Sequence, residues 1–179
     1  MALVLVKEDG TGLTNANSYA AVADGDAYFD GHLYATAWTT ATADNKAKAL
    51  VMATRVIDAS YVFNGSKTSA AQALEWPRYQ CPDRDDLDSS GSASFLASNI
   101  VPKAVSDATC EMARELLLVD RTAAPPGEGL ATVASGSGVS TTYSKTDTRP
   151  MISHLAQAML SKFGSLGIGG NGPVRLVRV

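Results

Sequence analysis

Cysteine, histidine and charge are scarce in this chain, and each scarcity removes a class of function. Cys81 and Cys110 are the two cysteines in 179 residues. With no CxxC and no neighbouring histidine pair they read as free thiols of a reducing compartment, not as a disulfide frame or a zinc site. His32 and His154 fall on different expected helices with no HExxH, so no metal site is indicated. A GxSxG elbow and a GxxxxGK[ST] loop are both missing. Gly167-Ile-Gly169-Gly-Asn-Gly172 fits GxGxxG literally, but a helix precedes it and Pro173 follows, so the strand-loop-helix context of a dinucleotide site is lacking. Asp86-x-Asp88-x-Ser90-Gly91 resembles the start of a calcium loop, yet Ala97 stands where the bidentate Glu belongs. The expectation is a protein that is not an enzyme, with neither cofactor nor metal.

Charged residues make up 18% of the chain, where about 25% is usual. Low charge suggests surface covered by other chains. A net charge of −3 and a pI near 5.3 argue against a strongly basic nucleic-acid binder. The first apolar run, Ala2 to Val6, is too short for a signal peptide or a membrane span. The expected site of synthesis is the cytoplasm, with no membrane partner.

What is present is helical patterning, concentrated between Asn17 and Arg78. A first helix is expected over Val22–Leu33, with Val22, Phe29 and Leu33 on one face, Asp24 and Asp26 in its first turns, and Gly25 and Gly31 as points of close backbone approach. The second, capped by Thr42, should end near Ala59; Ala47, Leu50, Thr54 and Ile57 form its stripe, widened by Val51 and Ala53. A short helix over Ala70–Leu74 should end at Trp76, which Pro77 forces out of helical geometry. Pro102 opens a third helix reaching Val119, through Val105, Ala108, Met112 and Leu116. Pro150 opens a fourth over Met151–Phe163, stopped by Gly164. Between them, 80–99 has loop composition, and Leu130–Val133 can pair with Val139–Tyr143 as a hairpin.

The expected fold is mainly α: a small four-helix core with a projecting β-hairpin, a short N-terminal strand and an extended, strand-like C-terminal tail. Residues 1–163 would be one helical domain carrying the 80–99 loop and the 122–149 hairpin. Residues 164–179 would be a flexible docking tail. Its end, Val174-Arg175-Leu176-Val177-Arg178-Val179, reads as a strand edge seeking a partner.

The order of Ser18-Tyr19, Asp26-Ala27-Tyr28-Phe29, Ala49-Leu50, Ala53-Thr54, Gln72-Ala73-Leu74, Trp76-Pro77-Arg78 and Pro102-Lys103-Ala104-Val105 resembles bacteriophage head–tail adaptor (head-completion) proteins. Sequences of this kind also carry the label DnaT-like single-stranded-DNA-binding protein. The resemblance covers most of residues 5–120. It implies a structural connector whose core signature is Tyr19, Tyr28, Phe29, Leu50, Leu74, Trp76, Pro77 and Arg78. It further implies a homo-oligomeric ring, usually of twelve copies, in the virion neck. The ring's partners would be the portal protein, tail or stopper proteins, and genomic double-stranded DNA passing through the lumen without sequence specificity. Ala21, where a Ser/Thr cap would be expected, and the long 80–99 loop depart from the pattern. The alternative is single-stranded-DNA binding in replication, with Trp38 and Trp76 as base-stacking rings and Arg55, Lys67 and Arg78 nearby. Helical spacing favours packing roles for these rings.

Overall fold

The computed structural model describes residues 3–87, 93–123, 132–134, 140–142 and 149–167. In chain order these hold α1 (Val22–Phe29), α2 (Thr36–Thr39), α3 (Ala43–Ser60), β1 (Tyr61–Phe63), β2 (Ser66–Lys67), β3 (Arg78–Tyr79), β4 (Pro82–Leu87), β5 (Ala93–Phe95), α4 (Lys103–Leu118), β6 (Thr132–Ala134), β7 (Ser140–Thr142), α5 (His154–Leu160) and β8 (Gly164–Leu166). The architecture is mixed α/β: helices with small antiparallel ladders, β1–β8, β2–β3, β4–β5 and β6–β7.

α3 and α4 form the centre of the fold. Thr42 accepts the Asn45 N–H at 3.3 Å and starts α3, satisfying one of the donors that a helix start leaves free. Leu50, Ala53 and Ile57 are then fully buried, as are Val105, Ala108 and Met112 of α4. Each large aliphatic side chain so buried contributes about 1.5–3 kcal/mol. α4 packs on α1, α2, α3 and α5. Ala21 offers no side-chain cap to α1; instead the Asp24 carboxylate accepts the Ala21 N–H at 2.7 Å.

Several boundaries move. α1 stops at Phe29, and Leu33 is 90% exposed instead of closing the apolar face. Residues 70–74 are turns, because Gln72 takes over the bonding of that loop (below). Pro102 is the N-cap of α4, one residue outside the helix, and Val119 is largely exposed. Ser153 caps α5 by accepting the Ala156 N–H at 3.2 Å, so Met151 and Ile152 precede the helix. Among the described residues five helices, three of them of eight residues or fewer, combine with the ladders, so the fold is mixed α/β where a mainly α four-helix core was expected.

The strands change more. The 80–99 stretch holds the β4–β5 ladder, with Pro82 opposite Phe95 and Asp83 opposite Ser94. Gly164–Leu166, expected as the start of a tail, pairs with β1: Tyr61 faces Leu166 and Phe63 faces Gly164. The hairpin pairs as β6 with β7, Thr132 opposite Thr142 and Ala134 opposite Ser140. The N-terminal strand reduces, among the described residues, to a bridge between Lys7 and Ser18. The docking segment Val174–Val179 lies outside the described residues.

Candidate functional site

Most of the motif residues hold the fold together. Tyr19 is fully buried, and its hydroxyl donates to Asp58 Oδ1 at 2.5 Å while accepting the Glu75 and Trp76 N–H groups at 3.0 and 3.2 Å. One side chain thus ties the entry to α1 to the end of α3 and to the Trp-Pro-Arg segment. Burial pushes the Asp58 carboxyl up to about 6, against the Tyr19 and Glu75 hydrogen bonds that favour its charged form. Burial and the facing carboxylate together raise the Tyr19 phenol far above its usual range.

Gln72 organises the 68–77 loop. Its amide donates to the carbonyls of Leu74 and Pro77 at 2.9 and 3.0 Å, and its oxygen accepts from the Thr68 hydroxyl and the Ser69 N–H. Leu74 and Trp76 turn inward beyond it; Trp76 lies edge-on to Phe63 and Phe163, and its peptide bond to Pro77 is cis. Arg78, only 6% exposed, spends its whole guanidinium inside the protein. Nε donates to the Asn64 carbonyl, one terminal nitrogen to the carbonyl and carboxylate of Glu75, and the other to the carbonyls of Phe63 and Gly65. Leu50 is fully buried in α3.

The second group joins α1 to α4. Phe29 packs on Tyr28, His32 and Trp38. Trp38 is 1% exposed and donates its N–H to Asp26 at 2.9 Å. A Cβ on Gly25 would lie 2.3 Å from the Trp38 ring, which is why a glycine sits inside this helix; Gly31 meets nothing within 4 Å. Glu111 is fully buried beneath the Tyr28 hydroxyl (3.0 Å), His32 Nε2 (3.2 Å) and Arg114 (3.1 Å). His32 Nδ1 accepts the Tyr34 N–H at 3.0 Å, so both ring nitrogens are engaged and neither is placed as a base. His154 is exposed at the start of α5. Cys81 and Cys110 are buried and unpaired. Burial raises both thiols, Cys110 to about 12, so neither is an activated nucleophile.

Sequence reasoning missed Glu8. It is 1% exposed and accepts the N–H groups of Gly10, Gly12 and Leu13 at 2.9–3.0 Å. Gly10 has φ of 99° and its missing Cβ would meet the Asn99 carbonyl at 2.1 Å. The Glu-Asp-Gly-Thr-Gly pattern is therefore an anchored turn, and its signal was the acid placed just before two glycines.

The exposed surface is the remaining place for partners. Lys7, Lys46, Lys48, Lys67, Arg78, Lys103, Arg114, Arg121 and Lys162 each face a carboxylate. The expected base-stacking rings Trp38 and Trp76 are both core, and Arg78 is a buried staple, so the grouping proposed for DNA does not form. Exposed rings stand elsewhere: Tyr34 at 77%, Tyr79 at 55% and Phe95 at 58%. Two cavities, of about 810 and 440 Å³, flank the start of α4. Among the described residues no group of three or more His, Cys, Asp or Glu could hold a metal ion, and no helix is long and apolar enough to cross a membrane.

Among the described residues, buried polar staples and short antiparallel ladders define the arrangement. The chain belongs to the family described as "Putative DnaT-like ssDNA binding protein", whose model matches residues 1–179. No curated protein and no solved structure matches it.

Proposed function

We propose that the chain is a non-catalytic docking protein, a head–tail connector subunit of a tailed bacteriophage. It would sit between the portal and tail proteins, in a ring of copies that DNA threads. The observation that supports this reading is how the surface divides. Among the described residues most cations face a carboxylate, Arg55, Arg84 and Arg149 excepted, while large apolar side chains face solvent, with Leu33 and the adjacent Tyr34 at 90% and 77% exposure. Such a surface suits protein neighbours better than phosphates. The net charge of −3 suits a lumen through which DNA slides without adhering. Segment Val174–Val179 is the proposed portal-docking strand. Deleting residues 172–179 is expected to leave a folded protein that no longer joins portals in a reconstituted assembly; normal joining by the truncated chain overturns the reading.

Single-stranded-DNA binding is the second reading, and the family description backs it more directly than it backs the connector, because it names that ligand and no virion role. With both tryptophans inside, Tyr34, Tyr79 and Phe95 would have to supply the stacking surface. Anisotropy of a labelled oligo-dT, titrated from low to physiological salt, separates the two. Each phosphate contact adds a slope of about −0.7 in log K against log salt. A slope steeper than about −2 with affinity surviving at physiological salt, which takes three or more such contacts, displaces the connector reading. Absence of binding at low salt removes the DNA reading.

A further inference from the structure

The two cavities beside α4 meet, since Ile100 and Lys103 line both. Together they make one groove across the amino-terminal end of that helix. Its floor is apolar: Tyr28 and Val101 in the larger half, Leu96, Met159 and Phe163 in the smaller. Its rim is acidic. Lys7, Lys103 and Lys162 are held by Asp24, Asp107 and Asp85 at 2.6–2.7 Å. Asp9, in the larger half, accepts from Thr11, and Asp83, in the smaller, from the Asp85 N–H; neither has a cationic partner among the described residues. Such a groove repels phosphate and attracts an apolar segment bearing positive charge.

We propose that this groove is a docking site for an apolar, basic peptide, and that its occupant is the chain's own segment Val174–Val179. That segment offers four aliphatic side chains and Arg175 and Arg178, one arginine for each uncompensated carboxylate. Chain geometry allows it. Phe163 forms part of the floor, and β8 carries the backbone about 10 Å further at 3.3 Å per residue. The linker 168–173 then spans up to about 20 Å. The pairing is independent of whether the outside partner is a portal or a nucleic acid. It means that any partner using the tail must first displace it from the groove.

The test uses the full chain with paired cysteines, the native Cys81 and Cys110 being buried. Leu176→Cys is combined with Ile100→Cys, with Ala158→Cys as a second groove position, or with Met52→Cys on α3 outside the groove. Under mild oxidation of dilute protein, either groove pair is expected to form an intrachain disulfide at least about tenfold faster than the Met52→Cys pair, through its higher effective concentration. Adding Asp83→Lys to a groove pair is expected to slow closure severalfold. Equal rates for groove and control pairs overturn the proposal. Disulfide-linked dimers whose formation scales with concentration overturn it too, by assigning the groove to another copy.

Discussion

Replacing Arg78 tests the structure where the two readings of the motif diverge most. If Trp-Pro-Arg contacts DNA, Arg78→Ala should weaken binding and leave stability alone. The geometry requires the opposite. Five hydrogen bonds run from one guanidinium to four backbone carbonyls and one carboxylate. The Glu75 carboxylate is about a third exposed, so its ion pair adds under about 1 kcal/mol. The carbonyls of Phe63, Asn64, Gly65 and Glu75, one bond buried and three partly buried, matter more, since a hydrogen bond from a charged donor is worth about 1.5–3 kcal/mol and the bonds are not additive. Arg78→Ala should therefore cost about 3–5 kcal/mol, lowering the melting temperature by roughly 6–20 °C in a chain of this size. Arg78→Lys should recover about half, because one ammonium cannot reach both sides of the fork. Urea denaturation followed by tryptophan fluorescence reads the loss at both buried indoles. A change under about 1 kcal/mol for Arg78→Ala would refute the staple.

Other perturbations separate packing from surface. Gly25→Ala should destabilise by about 1–3 kcal/mol through collision with Trp38, whereas Gly31→Ala should be neutral or stabilise by up to about 1 kcal/mol; thermal melts compare them. Trp38→Phe should cost about 1 kcal/mol more than Trp76→Phe, because Trp38 gives up its bond to Asp26 while the Trp76 N–H has no partner among the described residues to lose; equal losses in urea would argue against these assignments. The folded Asp58 carboxyl lies at about 6 against an ordinary 3.8, so the protonated form is favoured by folding. Its contribution is full below about pH 4 and is lost as pH rises through 6. That loss amounts to about 3 kcal/mol. Asp58→Asn lacks this titration, so the difference in unfolding free energy between wild type and variant should shift by that order between pH 4 and 7.5.

What could be read in advance was what is local. Thr42 ahead of a clean apolar stripe placed α3 within a residue of its ends, and Gly25 signalled a close approach because a glycine inside a helix needs a reason. The 70–74 turn looked helical because Thr68 or Ser69 can cap and Pro77 can stop a helix; the Gln72 side chain instead bonds the backbone of its own loop, a competition that propensity does not register. β4 is written Pro-Asp-Arg-Asp-Asp-Leu, poor strand composition, and exists through pairing with β5. β8 was invisible for a different reason. Gly-Ser-Leu carries no strand signal, and its partner β1 lies about a hundred residues earlier in the chain. Arg78 was misjudged because an arginine beside aromatics looks the same in sequence whether its acceptors are phosphates or carbonyls.

That last ambiguity bears on what family membership conveys here. Tyr19, Gln72, Trp76 and Arg78 are among the residues that carry the resemblance, and each spends its polar or aromatic surface inside the protein, beside the buried Leu74. Such staples close the 68–79 loop over α3 and so constrain the fold, without specifying what the chain binds. Ligand choice must then be written in residues the motif does not constrain. On the described surface these are the acidic groove at Asp83 and Ile100, the Leu33-Tyr34 corner and the exposed rings of β3 and β5. A connector and a DNA-binding protein could share all of the staples and differ at these places alone. Substitutions there discriminate between partners, while substitutions in the motif report stability.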